Sequence, residues 1–259
     1  MSTNSIINDQ GDTGVLAKKD IWDDLWGSYI EDYVFSDPKH GVIVEKLAKK
    51  YGISLSSTLE TGCGSARDSR YLANTCDALA LDLSSEPLAV ANGIGRKIPL
   101  KGTYTLIQGD IFHLPICDKK IDASFNSGLL VCFADDEDIF KILDEQRRVT
   151  KGLMVIFVHN KFDIIMSPLF QYLYRIKGEK LYDVRRFSPK EIKKICEKFG
   201  VVLEIGACEY SIPIALNKLR KIILKSEFDL GKFYAFINRL GFLRMLFLPT
   251  EIYVAVDVR

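Results

Sequence analysis

Glu60, Gly62, Gly64 and Asp82 are the residues whose types and spacing could do chemistry. Ser57 to Glu60 reads as a strand, and the glycine-rich turn after it opens a helix near Ala66. Gly62 and Gly64 let the backbone turn sharply and approach a ligand that a Cβ would hold away. The helix that follows presents unpaired N–H groups at its start, a ready partner for an anionic or polar ligand. About twenty residues on, Ala78-Leu-Ala-Leu-Asp-Leu-Ser84 reads as a second apolar strand with Asp82 at its carboxyl end. Ligands of open parallel sheets lie beyond the carboxyl ends of the strands, so Asp82 can accept hydrogen bonds from two ribose hydroxyls. Together these features make a nucleotide-type cradle. A dinucleotide fingerprint needs a third glycine three residues after Gly64, and Arg67 stands there.

The spacing Glu60-x-Gly62-x-Gly64-x-Ala66 resembles motif I of the class I S-adenosylmethionine-dependent methyltransferases, with Ala66 where a third glycine is more usual. The resemblance covers about residues 55–160 motif by motif, and the rest by the order of strands and helices. It implies an α/β, Rossmann-like fold. The sheet would have seven strands, six parallel and one antiparallel, with helices on both faces and helical lid insertions. It also implies S-adenosyl-L-methionine as cofactor, S-adenosyl-L-homocysteine as product, and no metal. Glu60 would serve the methionine amino group. Asp110 would receive the adenine amino group, and the Ile111 N–H would meet the ring. Asn126-Ser127-Gly128 matches the strand end beside the transferred methyl. The implied cofactor set is Glu60, Gly62, Cys63, Gly64, Asp82, Leu83, Asp110, Ile111, Asn126, Ser127 and Tyr29. Many relatives carry Glu-His where Val131 and Cys132 stand here. That departure removes one common candidate base.

The elements that must position these residues follow in order. Residues 1–18 are polar and read as a mobile N-terminus. Residues 19–54 form an N-terminal helical cap. Within it Trp22, Trp26, Tyr29 and Tyr33 recur at helical spacing, as either a core-packing helix or an aromatic flap over the ligand. Lys39 to Tyr51 reads as a helix ended by Gly52. Residues 55–160 form the cofactor-binding core. In it Ser84-Ser-Glu-Pro signals a helix start, Tyr104 to Gln108 is the third strand and Ile121 onward the fourth. Asp136 to Val149 is an amphipathic helix, with Gly152 expected to stop it, and Leu153 to His159 is a buried apolar strand. Residues 184–211 hold a helix capped by Ser188 and a strand, and residues 250–259 the last strand.

Two apolar stretches are additional to this plan. Residues 161–183, with Phe170 and Tyr174, and residues 212–249 read as helical insertions over an acceptor site. Tyr33, Gly128, Phe170 and Tyr174 are the candidate acceptor-binding residues. Lysines and arginines beside the second insertion leave a peripheral membrane contact open. His159, at the end of the fifth strand, is the best-placed candidate for a catalytic base, although a hydrogen-bonded structural histidine is the plainer reading of it.

Length and composition set outer bounds. The chain has 259 residues and a formal net charge of +1. About six net negative charges fall in residues 1–160 and about seven positive ones after it. The near-zero total gives no sign of a strongly basic nucleic-acid binder, so no DNA partner is expected. Within the resemblance, the chain lacks the Asn-Pro-Pro-Tyr-type motif of base-amine methylating relatives, which favours a small-molecule acceptor, with RNA or protein acceptors left open. The six cysteines show no Cys-x-x-Cys pair, so they read as reduced thiols. With no leader or membrane span apparent, a cytoplasmic location is expected. Two other classes remain: a nicotinamide-dependent oxidoreductase, and a non-catalytic module that only binds the cofactor. Oligomeric state is not legible.

Overall fold

The computed structural model describes residues 37–95, 100–163, 184–210 and 249–259. Seven strands form one sheet: β1 Ser57–Thr61, β2 Asp77–Asp82, β3 Tyr104–Gln108, β4 Ile121–Ser127, β5 Thr150–His159, β6 Val201–Tyr210 and β7 Pro249–Asp257. Their spatial order is β3-β2-β1-β4-β5-β7-β6. Neighbours from β3 to β5 pair in parallel, and β7 runs antiparallel to both β5 and β6. This is the expected Rossmann-like sheet of six parallel strands and one reversed. Strand order changes direction between β1 and β4, so their carboxyl ends flank the crevice where such folds bind ligands.

Five helices cover the faces among the described residues: α1 Lys39–Lys50, α2 Arg67–Leu72, α3 Ser85–Gly95, α4 Asp136–Val149 and α5 Pro189–Cys196. β5 shows why both faces are covered. Leu153, Val155 and Phe157 pack with Val44, Leu47 and Leu72 from α1 and α2. The alternate residues Met154, Ile156 and Val158 pack with Ile139, Ile142 and Leu143 of α4 and Ile192 and Ile195 of α5. Period-two alternation with apolar residues on both sides is the pattern of a central parallel strand. The charged α4 is held by its ends as well. The Asp135 carboxylate caps the amide of Glu137, acidic residues fill the first turn, and Arg147 and Arg148 lie in the last, matching the helix dipole.

One boundary differs from the sequence expectation. Gly152 does not stop α4; the chain passes directly from Val149 into β5, and Gly152 lies inside that strand. A Cβ there would meet the Asp122 carbonyl at 2.7 Å, beside the register shift between β4 and β5. Close approach of two strands, rather than a helix end, explains the glycine. Tyr29, Tyr33, Phe170 and Tyr174 lie outside the described residues, as do the aromatic N-terminal segment and almost all of both apolar insertions. No helix among the described residues is long and apolar enough to cross a membrane.

Candidate active site

β1 delivers Glu60 and the glycine turn to the rim. Gly62 and Gly64 both have positive φ, at 65° and 50°. A Cβ on Gly62 would meet the Leu129 side chain at 2.8 Å, so a larger residue would push into the loop that leaves β4. The turn closes on the neighbouring strand: the amide of Cys63 donates to the Leu81 carbonyl, and the amide of Gly64 to the Asp82 carboxylate at 2.7 Å. The other Asp82 oxygen accepts from the Ser84 amide at 2.9 Å. Asp82 is therefore buried and held at the end of β2 by the Gly64 and Ser84 amides. Its carboxylate spans the turn after β1 and the end of β2.

Ala66, in the place of the third glycine, is left-handed with φ 49°. The backbone of the motif is kept although its residue is not, and the methyl is buried against Cys63, Ala80, Leu88 and Ala91. Glu60 turns toward α2, where one carboxylate oxygen accepts from the Ser69 amide at 3.0 Å and its hydroxyl at 2.6 Å. Burial, then the negative charge of Asp68, raises its pKa, and the Ser69 bonds pull the other way. A cationic amino group placed beside it would favour its ionised form. Cys63 is buried with its thiol on the Gly64 carbonyl. Burial, with the charges of Asp82 and Glu60, keeps that thiol protonated, which leaves it no nucleophilic part.

The remaining predicted positions divide. Leu83 is half-buried, and its carbonyl accepts from the Gln108 side chain. Asp110 follows β3 at the rim, half exposed, with its carboxylate on the Phe112 amide and facing the His113 ring at 3.1 Å. Ile111 packs between two core clusters. Asn126 does not face the crevice: its amide is fully buried and donates to the Gln146 side chain of α4 at 2.9 Å. Gly128 has φ 68° and only open space where a Cβ would stand, at the exit of β4. His159 is half-buried at the end of β5, opposite Glu251 of β7. Burial lowers its pKa, and the charges of Arg186 and Lys39 act in the same direction, against Glu251. Burial thus favours the neutral form of the ring.

Sequence reasoning missed a group beside Ser127. His40, in the first turn of α1, is buried and touches three strands and a helix. Its Nδ1 lies 3.2 Å from Asp68 of α2, and its Nε2 lies 3.0 Å from Glu251 of β7 and 3.2 Å from the Ser127 hydroxyl. The ring meets Phe157 of β5 edge-on at 4.6 Å. Lys39 bridges Glu209 and Glu251, and Arg67 holds Asp68 at 2.7 Å. Burial would lower the His40 pKa; the carboxylates of Glu251 and Asp68 outweigh it and raise it to about 9. The one signal in the sequence was a charged Glu251 beside the apolar run Ile252 to Val256 of β7. Among the described residues no cluster of His, Cys, Asp and Glu is arranged to hold a metal ion.

Residues 58–152 match the family model described as a methyltransferase domain. A malonyl-[acyl-carrier protein] O-methyltransferase from Hamiltonella defensa subsp. Acyrthosiphon pisum (strain 5AT) is 31% identical over 163 residues. That alignment covers 62% of this chain and 59% of the relative, so the chain spans under two thirds of the relative's length. Among solved structures, magnesium protoporphyrin IX methyltransferase (ChlM) from Synechocystis PCC 6803 with bound SAH superposes with a TM-score of 0.59 at 15% identity, over 92% of this chain and 98% of that one. A SAM-dependent methyltransferase from Aquifex aeolicus gives 0.54 at 15% identity, over 90% and 98% of the two chains. At such identities the structural likeness shows a shared fold.

Proposed function

We propose that this chain, which carries a class I S-adenosylmethionine-dependent methyltransferase domain over residues 58–152, transfers a methyl group to an oxygen or nitrogen of a small, partly apolar or aromatic acceptor. The observation that carries the reading is the Asp82 carboxylate, fixed by the Gly64 and Ser84 amides at the switch point of the sheet. It is a preorganised acceptor pair for vicinal hydroxyls, beside a glycine turn that leaves room for a ligand. Glu60, Gly62, Gly64 and Asp82 would hold S-adenosylmethionine, with Asp110 and Ile111 at its adenine end and Ser127 and Gly128 toward the methyl. When bound, the cofactor supplies an electrophilic sulfonium methyl.

The chain's own task is then to orient an acceptor and exclude water. In this reading residues 55–160 are the cofactor core. His159 is the residue to take a proton from a hydroxyl or ammonium acceptor, being neutral at the rim of β5. An already ionised acceptor would need no base. The curated relative, named for O-methyl transfer to a malonyl group, supports an oxygen acceptor of that kind.

Calorimetric titration with S-adenosylhomocysteine, beside a nicotinamide dinucleotide control, tests the cofactor. Saturable binding of the first alone is expected. Binding of the dinucleotide, or of neither, overturns the reading.

A further inference from the structure

The His40 group holds six charged side chains, Lys39, His40, Arg67, Asp68, Glu209 and Glu251, in one connected set. Three of them, His40, Asp68 and Glu251, are less than one tenth exposed. Removing such groups from water costs several kcal/mol per ion, and well-packed apolar residues are often at least as stabilising. Fold stability alone is thus a poor reason for the set. Its location supplies a better one. Asp68 stands on the short helix that follows the glycine turn and also accepts from the Gly41 amide at 2.8 Å. Ser127 ends β4 next to Gly128, and Glu251 faces His159 across the β5–β7 ladder. The two sides of the crevice therefore meet at a single imidazole.

We propose that His40 is a positioning residue of the methyl-transfer site: clamped between Asp68 and Glu251, it fixes the Ser127 hydroxyl relative to the glycine cradle and carries cofactor occupancy to the acceptor side at β7. With both ring nitrogens donating, Nδ1 to Asp68 and Nε2 to Glu251 and Ser127, the Ser127 oxygen is an acceptor toward His40. Its proton is then aimed away from the ring. The clamp also counters Asp68, the charge that opposes ionisation of Glu60 on β1. A bound amino group at Glu60 would be felt at His40 through Asp68. Every charged group facing the ring belongs to this account: Lys39 and His40 on α1, Arg67 and Asp68 by α2, Glu209 on β6, Glu251 on β7, and His159 on β5.

The proposal rests on the cofactor reading above, and the test separates the two. The sequence has three histidines, so nitrogen-15 histidine labelling resolves His40 in the wild-type protein. The expected result is one imidazole with both nitrogens protonated at neutral pH, whose signals shift when S-adenosylhomocysteine is added. His40→Gln keeps a donor but not the charge, and should bind S-adenosylhomocysteine about tenfold more weakly, the loss of one charge-assisted hydrogen bond. A purely structural histidine would lower the melting temperature of that variant while leaving its affinity unchanged, and the wild-type His40 signals would not respond to S-adenosylhomocysteine. Binding by the wild type with no His40 shift, or with equal affinity in a folded His40→Gln, overturns the proposal alone. No binding by the wild type overturns the cofactor reading and this proposal with it.

Discussion

The amide of Gly64 and the carboxylate of Asp82, eighteen positions apart in sequence, meet at 2.7 Å. This one bond ties the turn after β1 to the end of β2 and sets the floor of the crevice. Removing the carboxylate leaves the Gly64 and Ser84 amides without their acceptor and, in the proposed reading, removes the acid that would hold the ribose. Asp82→Ala should weaken S-adenosylhomocysteine binding by about tenfold to a hundredfold, since a charge-assisted bond is worth roughly 1.5–3 kcal/mol. Calorimetry on the folded variant checks it, and unchanged affinity would remove Asp82 from the site.

His40 makes stability depend on pH above neutrality. Its pKa rises from an ordinary 6.5 to about 9 on folding. The folded state therefore binds the proton more tightly than the unfolded chain. The resulting stability is complete below pH 6.5 and is lost as pH rises through 9. At about 1.4 kcal/mol per unit, the loss across that window amounts to at most about 3.5 kcal/mol. Burial of an ionising Glu60 acts in the same direction. Urea unfolding from pH 6 to 10 should show the decline in the wild type and a flatter profile in His40→Gln. Parallel profiles would assign the slope to other groups.

Ala66 carries a left-handed backbone where glycine would be free of strain. Relief of that strain is worth about 1–2 kcal/mol. Against it stand the buried methyl, about 0.8 kcal/mol, and the greater freedom of an unfolded glycine, about 0.4–1 kcal/mol. The terms nearly cancel, which explains how alanine can stand here. Ala66→Gly should change stability by less than about 1 kcal/mol, and Ala66→Val, with a branched Cβ in the same conformation and a full pocket, should cost at least about 2 kcal/mol. Denaturation midpoints of the two variants decide it. A strongly stabilised Ala66→Gly would mean that the methyl contributes nothing.

What was legible in the sequence was what is local. The glycine turn, Asp82 at the end of its strand and the Ser188 cap are each written within a few residues, and the structure keeps them. The alternation of β5 also announced a central strand. The His40 group was not legible because its partners Asp68, Ser127 and Glu251 lie 28, 87 and 211 positions away. Nothing near Lys39-His40 hints at them. Gly152 was misread for a related reason: the atom that requires it, the Asp122 carbonyl, belongs to the neighbouring strand. Motif spacing located Asn126 at the right strand end, but the period of two in β4 sends Phe125 to the α1 face and Asn126 to the α4 face.

That last placement can be tested against the motif. Asn126 and Gln146 are both fully buried, joined by one bond of 2.9 Å, with the Asn126 carbonyl oxygen and the Gln146 amide nitrogen making no bond of their own. A half-satisfied buried pair adds little stability, whereas deleting one partner strands the other. Asn126→Leu should therefore cost about 1–3 kcal/mol by leaving Gln146 unpaired. The double variant with Gln146→Met, two apolar groups of similar shape, should recover most of that loss. If the Asn126 side chain serves only α4, the double variant binds S-adenosylhomocysteine as the wild type does. If it reaches the cofactor as the motif alone suggests, affinity falls in the single and the double variant alike, and recovered stability does not restore it. Unfolding and titration on the same three proteins separate these outcomes.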